Sequence, residues 1–280
     1  MRLQLIDKKS TSVGKALIFM ALTTFFLTTT VACSQNKDVL ITEIGVNPPR
    51  RPPSQPSKAG DFYIQGQYKH LRGDAQGAIA DYTKAINLNP NFGAAYNSRG
   101  LVYFDTGDRE KAIADYNQAI GINANDAEAY NNRGNARAAQ GDRNGAIQDY
   151  NEAIRINPRY AQAYNNRGNA RASGGDRKGA ILDYNQAIAL NPRYAVAYNN
   201  RGNAHYGQGD YQNAISDYNQ AIRINPNFAA AYNNRGNSYA AQGNKQKAIA
   251  DLQRAASFFQ QQNNQALYQK VMDNIKELGQ

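Results

Sequence analysis

Apolar and small residues recur through most of this chain at spacings of three and four, and the pattern itself repeats. Ala127–Tyr160 reads AEAYNNRGNARAAQGDRNGAIQDYNEAIRINPRY. Its second half carries Ala146, Ile147, Tyr150, Ala153, Ile154 and Ile156, which fall on one face of a helix with polar residues opposite. Its first half, from about Glu128 to Gln140, puts Tyr130, Gly134 and Arg137 with neighbouring alanines on an inward face. Gly141-Asp142 separates the two. Glycine takes the left-handed conformation that closes one helix, and aspartate caps the free N–H groups of the next. Asn157-Pro158 stops the second helix, because proline disfavours a helical predecessor. The pattern predicts a helix–turn–helix hairpin with Tyr130 and Tyr150 in its core, the small Gly134 and Ala146 allowing close approach.

The same unit returns in Ala161–Tyr194 and Ala195–Phe228, and with more changes in Ala59–Phe92, Gly93–Asp126 and Ala229–Gln262. These are six tandem copies of 34 residues with no insertion. A hairpin of this size cannot bury its apolar face alone, so a fixed period of this length predicts a stack. The turn pair recurs as Gly73-Asp74, Gly107-Asp108, Gly175-Asp176, Gly209-Asp210 and Gly243-Asn244. Two departures carry expectations. Ala124 stands where the other units have proline, so the end of repeat two should be softer. Repeat six has Leu252 for the tyrosine and Gln260 for the proline, so its second helix should run on. The tail, residues 263–280, spaces Leu267, Val271, Ile275 and Leu278 as an amphipathic helix that would cap the stack.

The order aromatic-x-x-x-Gly, Gly-Asp, Ala-Ile-x-x-Tyr-x-x-Ala and Pro resembles the tetratricopeptide repeat over residues 59–262, nearly three quarters of the chain. The resemblance implies an all-α fold: a right-handed α-solenoid of helix-turn-helix repeats closed by a C-terminal capping helix. It also implies that the first helices line a concave face that binds a protein or an extended peptide, without catalysis and without a cofactor.

Composition changes the picture mainly at the N-terminus. Of a formal charge of +10, residues 1–33 contribute +3 (Arg2, Lys8, Lys9 and Lys15 against Asp7) and residues 34–58 contribute +2 (Lys37, Arg50, Arg51 and Lys58 against Asp38 and Glu43), which leaves +5 for the remainder. No dense basic face results, so nucleic acid is not an expected partner. The basic start is followed by the apolar run Ala16–Ala32 and by Cys33, the only cysteine. This layout is that of a secretory signal. Thr30-Val31-Ala32-Cys33 resembles a bacterial lipobox, with Thr30 where leucine is usual. The expectation is therefore an exported protein tethered to a membrane of the cell envelope by a lipidated Cys33. Plain secretion or a periplasmic location after cleavage at Ala32, and an uncleaved anchor, stand as alternatives. Residues 33–58 carry Pro48, Pro49, Pro52, Pro53 and Pro56 and read as a semi-rigid tether. A single cysteine leaves the fold without an intrachain disulfide.

Two polar patterns are superposed on the repeats. Arg99, Arg133, Arg167, Arg201 and Arg235 occupy the place where the family usually has leucine. All six units carry an aspartate sixteen residues beyond that position: Asp81, Asp115, Asp149, Asp183, Asp217 and Asp251. The spacing puts one group on each helix of a hairpin and predicts an ion pair within each repeat.

The second pattern is asparagine. Asn97, Asn131, Asn165, Asn199 and Asn233 form one column; Asn132, Asn166, Asn200 and Asn234 a second; Asn135, Asn169, Asn203 and Asn237 a third. Stacked amides can donate to and accept from the backbone of an extended peptide, and these columns, with Phe104 and Tyr206, are the candidate binding residues. The second column resembles the asparagine ladder in the repeat domain of O-linked N-acetylglucosamine transferase, whose catalytic domain has no counterpart in this chain. Hydrogen bonding between repeats is the competing reading of the same asparagines, and solvated filler a third.

A carboxylate clamp of the kind found in chaperone-binding repeats would need basic residues where Asn97, Asn131 and Asn132 stand. His70 and His205 lie in different repeats with no second metal-ligand type beside either. Gly202 and Gly207 have phosphate-loop spacing, but Gln208 and Gly209 replace the lysine and hydroxyl residue such a loop needs. The expectation is a binding scaffold rather than an enzyme. A glycan- or peptidoglycan-binding protein and a structural spacer remain the rival readings.

Overall fold

The computed structural model describes residues 57–279. The signal-type segment, Cys33 and all but the last two residues of the proline-rich segment lie outside that range.

Thirteen helices make up the described chain. The six repeats supply α1 (Ala59–Leu71) and α2 (Ala75–Leu88), α3 (Gly93–Asp105) and α4 (Arg109–Ile122), α5 (Ala127–Ala139) and α6 (Arg143–Ile156), α7 (Ala161–Ser173) and α8 (Arg177–Leu190), α9 (Ala195–Tyr206) and α10 (Tyr211–Ile224), and α11 (Ala229–Ala241) and α12 (Lys245–Gln261). The helix α13 (Gln265–Gly279) follows. Within each repeat the two helices pack side by side, and each second helix packs on the first helix of the next repeat. Successive first helices also touch one another. The result is an all-α solenoid whose first helices share one face.

The turns do what the sequence chemistry asks. Gly73, Gly107, Gly141, Gly175, Gly209 and Gly243 all have φ between 79° and 90°, where a side chain would be strained. The following Asp74, Asp108, Asp142, Asp176, Asp210 and Asn244 each accept a hydrogen bond from the backbone N–H three residues on. The second helices end in a different way from the one expected. Asn89, Asn123, Asn157, Asn191 and Asn225 leave helical geometry, and the side-chain oxygen of each accepts from the N–H two residues later at 3.0–3.1 Å. This is an Asx-turn, and it stops the helix without proline. Repeat two accordingly ends at Ile122 as firmly as its neighbours, and Ala124 does not soften it. In repeat six, where the asparagine and the proline are both missing, α12 runs 17 residues against 14 in the other second helices.

The core alternates small and large. Tyr82, Tyr116, Tyr150, Tyr184 and Tyr218 are buried, each with its ring against the glycine of the first helix. A Cβ added at Gly168 would lie 2.6 Å from Cε1 of Tyr184, so the ring occupies the space that the glycine leaves. Leu252 plays this part in repeat six. Tyr130 and its equivalents sit at the edge of this core, where Tyr96, Tyr198 and Tyr232 pack against its buried residues. They are half-buried and stack beneath the arginine three residues on, with Cζ of Arg133 5.3 Å from the Tyr130 ring centre and Arg167 5.4 Å from that of Tyr164. At the far end, Val271, Leu267, Tyr268, Ile275 and Leu278 of α13 cover Ala229, Leu252, Ala255, Ala256 and Phe259. That contact closes the last apolar face, as a cap must.

Candidate functional site

The ion pairs come first, because they hold the repeats in the geometry that places everything else. Nη2 of Arg99, Arg133, Arg167 and Arg201 lies 2.6–2.8 Å from Asp115, Asp149, Asp183 and Asp217, and Arg235 reaches Asp251 at 2.7 Å. Each aspartate is buried. The remaining guanidinium nitrogen, Nη1, turns to the preceding repeat. It donates to Thr83, Asn117, Asn151, Asn185 and Asn219 in turn, at 2.6–2.9 Å. One planar fork thus ties a first helix to its own second helix and to the second helix before it. In repeat one, which has Gln65 at the arginine position, Asp81 is met instead by Lys69 at 2.6 Å.

The asparagine columns meet each other. Nδ2 of Asn132, Asn166, Asn200 and Asn234 donates to Oδ1 of Asn97, Asn131, Asn165 and Asn199 in the preceding repeat, at 3.0–3.1 Å. Within a repeat, Asn165, Asn199 and Asn233 donate to Asn166, Asn200 and Asn234 at 3.2–3.5 Å. The bonds between repeats share one polarity, each second-column amide donating toward the N-terminal end of the stack. Asn97, Asn131, Asn165, Asn199 and Asn233 are buried, and so is Asn200, whereas Asn132, Asn166 and Asn234 keep partial contact with solvent. The first column is therefore an internal acceptor strip and not a free row of amides. The third column has another duty. Asn135, Asn169 and Asn203 accept from the hydroxyls of Tyr150, Tyr184 and Tyr218 at 2.8–2.9 Å, and Asn203 also accepts from Asn234 at 3.0 Å. Asn237 is half-buried opposite a repeat whose second helix offers Leu252 rather than tyrosine. Phe104 packs on the Ala112, Tyr116 and Ala136 cluster, and the Tyr206 ring sits 5.3 Å from that of Tyr211. Both rings are half-exposed, Tyr206 engaged with its own repeat and Phe104 also with Ala136 of the next.

The sequence reading passed over Glu128. Its register is filled by Gly60, Ala94, Gln162, Val196 and Ala230 in the other repeats, so it is the one carboxylate there. It stands in the first turn of α5, beside the start of the amide strip. Hydrogen bonds from Asn97 and Asn132 favour its charged form, but shielding from bulk water by the surrounding helices and the nearby charge of Asp126 outweigh them, and its pKa is raised above the usual glutamate value. The residue is nonetheless exposed at the groove surface, so the shielding is partial. Its charge in turn helps to raise the hydroxyl pKa of Tyr63, Tyr116 and Tyr160, each of which is raised first by burial. The signal available in the sequence was the break in that register, a charge where every other repeat is neutral.

Family models describe this architecture directly. Models described as TPR repeat match residues 61–107, 100–141, 134–173 and 168–209, and one described as Tetratricopeptide repeat matches residues 195–228 and 229–261. Among solved structures, that of MamA is 30% identical, with a TM-score of 0.52 over 57% of this chain and 94% of its own. YrrB, described as a TPR protein with an unusual peptide-binding site, is 23% identical, with a TM-score of 0.52 over 69% of this chain and 97% of its own. PilF of Pseudomonas aeruginosa, 16% identical, aligns with a TM-score of 0.66 over 77% of this chain and 97% of its own. At their identities the last two show the fold alone. Comparison with curated proteins gave no match.

Proposed function

Starting from the fact that the chain belongs to the tetratricopeptide repeat family, we propose that it is a non-enzymatic scaffold of the bacterial cell envelope that holds an extended peptide or protein segment in the groove lined by its first helices. Proteins of this family act as protein- or peptide-binding scaffolds. The observation that carries the finer reading is the amide strip. Asn166 spends one N–H on Asn131 and one lone pair on Asn165, and Asn200 does the same with Asn165 and Asn199. Each amide has a second N–H and a second lone pair. On the partly exposed amides such as Asn166, these can meet a peptide backbone. Because neighbouring repeats already fix the amides, a ligand would not pay for ordering them. The amides read backbone rather than side chains, so recognition along the strip is broad in sequence.

The envelope part of the proposal rests on the residues before the repeats: a basic start, an apolar run and Cys33. Lipidation of Cys33, or retention of the run as an anchor, would tether the repeats to a membrane.

A crosslinking pull-down from envelope extract tests the groove. One bait is the parent protein. The other carries Val196→Arg and Ala230→Arg, which crowd the Glu128 register two and three repeats on. Because both positions pack against the Ala195, Ala221, Phe228 and Ala231 cluster, this bait is first shown by circular dichroism to remain folded. Partners captured by the parent and lost from the crowded bait support the proposal. Equal capture by both moves function away from the groove.

A further inference from the structure

We propose that Glu128 makes the groove selective for a cationic side chain, lysine or arginine, in the bound peptide. This rests on the groove reading above and adds the class of partner residue to it. The charge of Glu128 is unmatched. The buried aspartates of the repeats are all ion-paired: Asp81 with Lys69, and Asp115, Asp149, Asp183, Asp217 and Asp251 with arginines. Among the described residues Glu128 has no Lys, Arg or His partner. The groups that act on it electrostatically, or on which it acts, are Asp126 from the turn before α5, the amides of Asn97 on α3 and Asn132 on its own helix, and the hydroxyls of Tyr63 on α1, Tyr116 on α4 and Tyr160 just before α7. An exposed carboxylate on a first helix, with Asp126 two residues before it and no cation beside it, favours a positively charged guest.

A second mismatch lies in the preceding repeat. The Tyr116 hydroxyl is buried and has no hydrogen-bond partner. Its counterparts Tyr150, Tyr184 and Tyr218 donate to Asn135, Asn169 and Asn203, but repeat two has Leu101 in that position. The Tyr116 O–H, buried at the Leu101 register, is thus left without an acceptor, and the charges of Asp105, Asp115 and Glu128 all act on it. The amide strip also ends here. Its bonds between repeats all run toward the N-terminal end, and its first two members, Asn97 and Asn132, both favour the charged form of Glu128 by hydrogen bonding. The strip and the carboxylate form one surface: amides for the peptide backbone, then a negative charge for one side chain at a fixed distance along it.

The test uses the full-length protein in detergent micelles and a displayed library of random twelve-residue peptides. It is panned in parallel against the parent, Glu128→Gln, and the crowded Val196→Arg/Ala230→Arg variant. Glutamine keeps an oxygen for the Asn97 amide, so the strip is retained. The expected result is that the parent selects peptides with Lys or Arg at one position, that the preference disappears with Glu128→Gln, and that the crowded variant selects nothing. The best peptide should bind Glu128→Gln about tenfold more weakly than the parent. Changing its cation to glutamine should weaken binding to the parent by the same factor and binding to Glu128→Gln hardly at all. Peptides captured by the parent with no cationic position, or with one that ignores Glu128→Gln, overturn the inference and leave the groove reading standing. Capture that survives crowding, or no capture at all, overturns the groove reading and this inference with it.

Discussion

The guanidinium of Arg167 holds both carboxylate oxygens of Asp183, with Nη2 2.6 Å from Oδ1 and Nε 3.1 Å from Oδ2. Asp183 also accepts from Arg171 at 2.8 Å, and Arg167 reaches back to Asn151 at 2.7 Å. Asp183 is 2% exposed, so removing it strands two cations between helices. Asp183→Ala is expected to cost about 2–3 kcal/mol in denaturant unfolding, less than a fully buried pair because the arginine heads keep some water. Asn151→Ala should cost about 1 kcal/mol, and the two changes should couple in a double-mutant cycle. Additive losses would show that the arginine does not join the two repeats.

Tyr116 and Tyr184 make a matched comparison. The Tyr184 hydroxyl donates to Asn169 at 2.8 Å, while that of Tyr116 has no partner. Tyr184→Phe should lower stability by about 1 kcal/mol, and Tyr116→Phe should be neutral or stabilising. Leu101→Asn should supply the missing acceptor. Urea midpoints of the three variants decide the matter.

Two glycines in helices should respond in opposite directions to alanine. At Gly168 the new Cβ would meet Tyr184 Cε1 at 2.6 Å and Cδ1 at 2.9 Å, and the overpacking should cost about 1–3 kcal/mol. At Gly121, exposed near the end of α4, nothing lies within 4 Å, and Gly121→Ala should gain about 0.5–1 kcal/mol. Thermal melts of the pair test whether the glycine–tyrosine contact limits the spacing of the hairpin.

The raised pKa of Glu128 fixes the sign of a pH effect. The folded carboxyl keeps its proton at pH values where an unfolded glutamate has lost it, so this group's contribution to stability falls as pH rises from the ordinary glutamate value through the raised one. Glu128→Gln removes that loss. Relative to the parent, the variant should be more stable at neutral pH, with the difference shrinking toward acid. The same protonation would weaken a cationic peptide in acid. An advantage that grows toward acid would contradict the assigned direction.

How much of this was legible in advance varies from residue to residue. The 34-residue period, the Gly-Asp turns, the cap at Val271 and the Arg–Asp pairs could all be read from spacing, because each depends on chemistry that helix geometry repeats at a fixed interval. The sequence could not say that Asn157 rather than Pro158 ends its helix, since both are turn residues and only the backbone geometry shows which one acts.

The asparagines divide along the same line. Their columns are a property of the sequence alone: a 34-residue repeat must stack equal residues in register. Which amide faces which was a tertiary matter. Asn166 meets Asn131 across a repeat boundary at 3.0 Å, and Asn169 meets the Tyr184 hydroxyl within its own hairpin, because the rotation between successive hairpins decides which neighbours come within bonding distance. Glu128 shows the same division. Sequence marks it as a charge in a neutral register. Asp126 is its neighbour in sequence, but only packing brings Asn97 and Tyr160 near it and shields it enough to raise its pKa, because those neighbours belong to the assembled stack and not to the repeat.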